Sequence, residues 1–247
     1  MKSADVLLPD WPAPNNIECL VTKCRGGEFN LASHVGDLDG KVLLNRETLQ
    51  KELGLESSVQ WLNQVHGSDV YCLDGLTKNS VPNADALFTQ EENQACAVLT
   101  ADCLPVFFCD QAGKEVAVAH AGWRGLMGGV LENTIHCFSA APDALMAWLG
   151  PAIGPCHFEV GQEVRKAFID IASIRNQKAT AAAFTPAKQS GKLMGDLYQL
   201  AKLRLSYAGL SQVYGGGHCT YCEHQEFFSY RHNNSTGRFA SVIWRKV

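Results

Sequence analysis

The apolar positions of this chain fall into short runs separated by polar, glycine- and proline-containing links, and two of the runs form a matched pair. Residues 104–109 read Leu-Pro-Val-Phe-Phe-Cys, and residues 116–121 read Val-Ala-Val-Ala-His-Ala. Strand-length apolar runs on either side of a short polar link predict a β-hairpin. Asp110, Gln111, Ala112 and Gly113 make the predicted four-residue loop, with Gly113 able to take a positive φ. That loop pairs Cys109 with Lys114, and equal steps outward bring Cys103 opposite His120. Directly opposed side chains share a face with Cβ atoms roughly 4.5–5.5 Å apart. A thiolate and an imidazole so placed can share a metal ion or act as nucleophile and base.

The same patterning lays out the remaining elements. Residues 1–16 are proline-rich and predict an irregular arm, and 19–24 a first strand. The loop 26–37 has glycines at both ends and carries Asn30 and His34, candidate site residues that compete with a purely structural reading. A helical pattern over 42–53 ends at Gly54 and holds Arg46 in its first turns. Residues 59–73 alternate as strand, turn, strand around Gly67-Ser68; His66 ends the first strand on the face shared by Gln64 and Leu62. Short strands are expected at 95–100, 147–154 and 239–244, and helices at 126–138, 158–171 and 194–207. Residues 174–192 read as a mobile connection. The segment Gly122-Trp123-Arg124-Gly125 joins a strand to a helix, so free N–H groups beside Arg124 make a candidate anion pocket.

Composition narrows the function classes. The chain has 247 residues, 46% of them apolar, as in an ordinary globular protein. A net charge of −4 without a basic stripe argues against a nucleic-acid polymer as partner. No apolar run suffices to span a membrane. The N-terminal residues carry acid and prolines where a secretory signal has an apolar segment, so the expected location is cytoplasmic and the ten cysteines are expected to be mostly reduced.

His66, Cys103 and His120 are the leading chemistry. Two imidazoles and a thiolate suit Zn²⁺, and three protein ligands leave a fourth tetrahedral position for water, whose pKa such a metal lowers to about 7. Copper competes for the same donors. Without metal, Cys103 and His120 make a thiol hydrolase pair, for which the sequence nominates no unique orienting group. Asp102 neighbours Cys103, but reaches the same site only if the strand is irregular there. Cys219-Thr-Tyr-Cys222, flanked by His218 and His224, also offers ligands; lacking a second CxxC, it is expected to be a structural turn.

Several ordered motifs carry a resemblance. They are Trp-Leu-Asn-Gln-Val-His-Gly (61–67), Ala-Asp-Ala-Leu-Phe-Thr (84–89), Thr-Ala-Asp-Cys-Leu-Pro-Val (100–106), Ala-Val-Ala-His-Ala-Gly-Trp-Arg-Gly (117–125) and Leu-Gly-Pro-Ala-Ile-Gly-Pro (149–155). Phe-Glu-Val-Gly (158–161), Cys-Thr-Tyr (219–221), Phe-Phe-Ser-Tyr-Arg (227–231) and Thr-Gly-Arg (236–238) follow. In these the chain resembles the YfiH, or laccase-domain, family, also described as peptidoglycan-editing factors. The resemblance implies a single α+β domain over 1–247, folded as a four-layer α-β-β-α sandwich shared with thiol-hydrolase toxins. It implies His66, Cys103 and His120 as metal ligands, for zinc and sometimes copper. It implies small-molecule substrates: phosphorolysis of purine nucleosides such as adenosine, inosine and methylthioadenosine, and deamination of adenosine. Polyphenol oxidation with copper and correction of peptidoglycan precursors are the family's other described roles. His232, where the family often has a second arginine, and Cys222 depart from its pattern.

On that basis Asp102, Cys103 and Arg124 are the expected catalytic residues, with Asp102 shuttling a proton. Asn30, His34, Arg46, Gln64 and Arg231 are the expected substrate-binding set, with phosphate on Arg46, Arg124 or Arg231. A multicopper oxidase fits poorly with eight scattered histidines and one obvious cluster. A non-catalytic zinc domain is the third class.

Overall fold

The computed structural model describes residues 5–35, 38–54, 59–74 and 81–247. The first four residues of the expected arm and the end of the 26–37 loop lie outside them. In chain order the elements are β1 (Val6–Leu7), β2 (Ile17–Thr22), α1 (Asp39–Leu53), β3 (Val70–Leu73), β4 (Ala86–Thr89), β5 (Cys96–Thr100), β6 (Leu104–Asp110) and β7 (Val116–Ala121). Then follow α2 (Trp123–Gly128), α3 (Val130–His136), β8 (Leu145–Leu149), β9 (Glu159–Gly161), α4 (Gln162–Ile171) and α5 (Gln177–Ala182). The last are β10 (Phe184–Pro186), β11 (Lys192–Gly195), α6 (Leu197–Tyr207), β12 (Gln212–Gly215) and β13 (Phe239–Arg245).

Two sheets stack at the centre. One runs β12-β8-β6-β7-β4-β3 and the other β1-β2-β13-β5; a small sheet β10-β11-β9 lies apart from both. Successive strand residues point to opposite faces, and β6 uses both. Phe107 and Cys109 pack with Val98, Val21 and Ile243 between the two sheets. Val106 and Phe108 pack instead against Leu126, Leu131 and Ile135 of α2 and α3, in a layer that also takes in Val164, Phe168 and Leu200 of α4 and α6. The outer face of the second sheet, with Leu20, Leu99 and Val242, is covered by Leu49 of α1 and by Phe29 and Leu31. Helix, sheet, sheet, helix is the expected α+β four-layer α-β-β-α order. A sheet buried on both faces also explains why β6 reads as an unbroken apolar run rather than an alternating one. Burial of each large side chain there contributes about 1.5–3 kcal/mol.

The hairpin forms, but its register differs from the sequence expectation. Pro105, not Cys103, pairs with His120, and Cys109 pairs with Val116. The loop is longer because the Asp110 carboxylate accepts N–H bonds from Ala112, Lys114 and Glu115 (3.2, 2.7 and 2.8 Å) and draws them into the turn. Cys103 lies just beyond the strand, after Asp102, whose φ of +92° bends the chain.

Other expectations shift in the same local way. The helix over 126–138 is two helices, broken at Gly129 with φ +97°. The helix expected from residue 158 starts at Gln162, because residues 159–161 join the small sheet. Residues 174–192 hold α5 and β10 rather than an unstructured connection. Gly54 ends α1 in the left-handed conformation as expected, with φ +66°. No helix among the described residues is long and apolar enough to cross a membrane.

Candidate active site

Two bends and the end of a strand meet at one point. His66 comes from the turn before β3, Cys103 from the bend before β6, and His120 from near the end of β7. One donor atom from each lies within 4.8 Å of the others. Cys103 Sγ is 3.8 Å from His66 Nε2, and the two imidazole rings stand edge to face with centroids 4.8 Å apart.

A single buried carboxylate positions two of these three groups. Asp85 accepts backbone N–H bonds from Val65, His66 and Gly67 at 3.2, 2.9 and 2.6 Å, holding a turn in which His66 has φ +60°. The same Asp85 accepts the Nδ1–H of His120 at 2.8 Å, which leaves Nε2 as the lone-pair nitrogen of that ring. Asp85 is fully buried and His120 is 3% exposed, so neither is screened by water. Gly122 supplies the clearance: a Cβ there would sit 2.9 Å from Cys103 Sγ and 3.1 Å from the His66 ring.

The electrostatics follow from this packing. Burial alone would push the Cys103 thiol up, but His120 and His66 outweigh it and bring it down to about 6. Burial works the other way on His120, and there the Cys103 sulfur and Asp85 prevail, raising it to about 9. Burial also opposes ionisation of Asp85; the His120 contact and the turn N–H groups overcome it and hold the carboxyl below its ordinary value. A thiolate–imidazolium pair with an orienting carboxylate results. Two imidazoles and one ionised thiolate within reach of one point are a donor set that fits Zn²⁺ and also copper.

The triad opens into a cavity of about 770 Å³, lined also by His34, Arg46, Gln64, Asp102, Arg231 and Arg238. Most of the expected substrate-binding residues are therefore brought together. Arg46 is stacked over Trp61 at 4.4 Å and donates Nε–H to Leu31 O. Arg231 donates Nη1–H to His157 O and Glu159 O. Gln64 exchanges both amide groups with Leu99 backbone at 2.8 Å, so its contribution to the wall is largely structural. His34 is held below its ordinary pKa by burial and by the charges of Arg238, Arg46 and His66, and so stays neutral.

Two expected residues are placed elsewhere. Asn30 is buried and its amide is bonded to the backbone of Ala32 and Arg238. Arg124 is exposed and stacks on Trp123 at 4.4 Å, outside the cavity lining. Helix α2 is only one and a half turns long, and its start faces Cys103 and His66 rather than an anion pocket. Asp102 does reach the cavity, because the bend at its own backbone breaks the strand alternation that would have turned it away. Its carboxylate accepts from Thr220 Oγ1 (2.7 Å) and from Arg231 N (2.6 Å).

Asp85 and Arg238 were not foreseen as site residues. Asp85 had one sequence signal, an acid between two alanines ahead of a strand. Arg238 is tethered to Thr236 O and Gly237 O, and its charge faces Cys103 and Asp102.

On an α-β-β-α sandwich this chain presents a metal-capable Cys–His–His triad at the rim of a cationic cavity, and that defines its class. Residues 21–246 match the family described as multi-copper polyphenol oxidoreductase laccase, and the chain belongs to that family. It is 46% identical to purine nucleoside phosphorylase YfiH of Escherichia coli, an alignment covering 97% of this chain and 98% of that protein. A purine nucleoside phosphorylase of Haemophilus influenzae is 45% identical, over 96% and 97% of the two chains. Among solved structures, Neisseria meningitidis protein NMB0706 superposes with a TM-score of 0.90 at 47% identity, covering 98% of this chain and all of that one. Bacillus licheniformis YfiH gives 0.87 at 26% identity, over 99% and 98%.

Proposed function

We propose that this chain is a zinc-dependent purine nucleoside enzyme, splitting adenosine, inosine and methylthioadenosine with phosphate and deaminating adenosine. The observation that carries the reading is one cavity holding both the His66–Cys103–His120 triad and three guanidinium groups. The purine nucleoside phosphorylase names of the relatives support the same substrate class.

In phosphorolysis, Arg46, Arg231 and Arg238 hold phosphate by charge-assisted hydrogen bonds. A phosphate oxygen attacks the ribose C1′, the C1′–N9 bond breaks, and its electron pair leaves with the purine, which takes up a proton. In deamination, water adds at C6 and ammonia leaves. Asp102 is the carboxylate that moves the proton between them, held in place by Thr220 and the Arg231 backbone. His66, Cys103 and His120 are the residues that would hold Zn²⁺, which supplies Lewis-acid polarisation and offsets developing negative charge.

The test is product analysis of purified protein with adenosine, with and without phosphate. Adenine and ribose 1-phosphate are expected only with phosphate, and inosine in both cases. His120→Ala should abolish each. Absence of all three products, or a His120→Ala variant equal to wild type, would sink the reading. Metal analysis of the same preparation should return zinc; copper together with phenol oxidation would move the assignment to a polyphenol oxidase.

A second reading has its own support. Cys103, His120 and Asp85 have the connectivity of a nucleophile, base and orienting acid. That connectivity supports a metal-free thiol hydrolase, and the substrate class, peptidoglycan precursors, is the one the family resemblance implies. Chelator treatment separates the two: nucleoside turnover should be lost with the metal, whereas a hydrolase would keep its activity and form a covalent adduct on Cys103.

A further inference from the structure

We propose that Cys156, His157, Cys219 and Cys222 form a second metal site, a closed four-ligand Zn²⁺ centre that pins together two loops behind the catalytic cavity. Cys219 and Cys222 have the two-residue spacing of a metal-binding turn but supply only half a ligand set. The other half comes from a different loop, where His157 N–H donates to Gly154 O at 3.0 Å and curls the chain so that neighbouring side chains both reach inward. Ala152 bridges to Cys219 and accepts from Thr220 N at 3.0 Å, which sets the two loops side by side.

One donor atom from each of the four residues lies within 4.8 Å of all the others. Cys156 Sγ is 3.7 Å from both Cys219 Sγ and Cys222 Sγ, and His157 Nδ1 is 3.2 Å from Cys156 Sγ and 3.4 Å from Cys222 Sγ. A tetrahedral zinc with bonds of about 2.3 Å to sulfur and about 2.0 Å to nitrogen sets edges of about 3.8 Å between sulfurs and about 3.5 Å between sulfur and nitrogen. The four observed spacings are within about 0.3 Å of those edges, and the remaining two are no longer than 4.8 Å. All three cysteines are free thiols, so no disulfide competes for them in this structure.

The surroundings are built for the cluster. Gly154 donates its N–H to Cys219 Sγ at 3.2 Å, and a Cβ on it would come within 3.1–3.4 Å of Cys219 and the Cys156 sulfur. The His157 ring is fixed by stacking on Tyr221, with centroids 3.9 Å apart. The neighbouring histidines are used otherwise: His218 pairs with Glu223, and His224 stacks on His232. Three thiolates and an imidazole select a borderline-soft ion over Mg²⁺ or Ca²⁺. The four protein donors fill a tetrahedron, so the site is structural. What it braces is specific: Ile153 N and Thr220 Oγ1 both bond Asp102, and Arg231 Nη1 bonds His157 O.

The experiment titrates reduced, chelator-stripped protein with Zn²⁺ and with Co²⁺ against a competing chelator. Wild type should bind two equivalents, with cobalt giving the strong sulfur-to-metal charge transfer of a thiolate-rich site. Cys222→Ser should bind one equivalent and lose most of that band. His66→Ala should bind one equivalent and keep it. If Cys222→Ser fails to fold, Cys156→Ser and His66→Ala decide the same question. A wild type that binds one equivalent, with none in His66→Ala, would overturn the proposal. So would an unchanged stoichiometry in Cys222→Ser or Cys156→Ser.

Discussion

The two cysteine–histidine clusters of this protein use the same donor chemistry and differ in everything around it. His66, Cys103 and His120 sit where strands of the central sheets end, with His120 buried and Asp85 fully so. Cys156, His157, Cys219 and Cys222 sit on two turns, with Cys156 and Cys222 exposed. The first cluster has three donors and opens into a cavity; the second has four donors within reach of one another. The first is charged from behind by a carboxylate that also fixes the loop geometry. The second is steadied by the Gly154 N–H on Cys219 Sγ and by a tyrosine stacked on His157, with no buried carboxylate among these contacts. On the two proposed readings, donor number and the charge behind the donors, rather than donor identity, separate a reactive centre from a brace.

The largest expected effect tests that difference at its source. Asp85→Asn keeps the shape of the carboxylate but removes its charge and its fixed acceptor role toward His120. Loss of such an outer partner costs about 10–100-fold in metal affinity or activity. We expect that loss at the His66–Cys103–His120 centre, read by competitive metal titration and by nucleoside turnover. Occupancy of the Cys156–Cys222 centre should not change. Equal weakening of both would show that the clusters are one coupled unit and not two devices.

How much of this contrast could be read from the chain is set by the range of the interactions. The triad was legible although the hairpin register was displaced by two residues, because strand side chains alternate with a period of two and such a slip keeps every residue on its face. Pro105 takes the place opposite His120, and Cys103, just before the strand, still comes within reach of it. Asp102 was harder: its entry to the cavity depends on a backbone bend at φ +92° that no residue type announces. Asp85 acts on groups 18–35 residues away, and nothing local marks it as the partner of His120. Arg238 enters the cavity from the residue just before β13, a strand whose place in the second sheet no local pattern gives. The Cys219–Cys222 turn was visible as an incomplete ligand set, and its completion by Cys156 and His157 from over 60 residues away was not. The α-β-β-α layering was recognised from the motifs and is explained by the three separate apolar clusters. The small sheet was lost, since strands of three or four residues leave no periodicity to detect.

A smaller effect separates the open cavity from the closed cluster by charge. Arg46, Arg231 and Arg238 line the cavity beside the triad. Removing one guanidinium from a phosphate site forfeits a charge-assisted hydrogen bond, about a tenfold loss of affinity. Arg238→Ala should raise the phosphate KM by about tenfold in phosphorolysis, while inosine formation without phosphate changes far less. Equal losses in both reactions would mean that Arg238 supports the cavity wall and does not bind the anion.

The smallest expected effect is a near absence of change. In metal-stripped protein Cys103 is brought down to about 6 by its two histidines, against the resistance of burial. A depressed value means that the thiolate dominates above about pH 6 and is lost as pH falls through it. The alkylation rate of Cys103, followed by peptide mass spectrometry, should therefore rise by less than about twofold between pH 7 and pH 9, whereas a thiol with the ordinary pKa of about 8.5 gains more than about tenfold. Cys96 and Cys109, buried among apolar side chains and pushed up by that burial, should stay unreacted throughout. A steep rise at Cys103 would show an ordinary thiol. The thiolate–imidazolium pair would then be absent and the hydrolase reading would fall, leaving the metal as what holds that sulfur ionised.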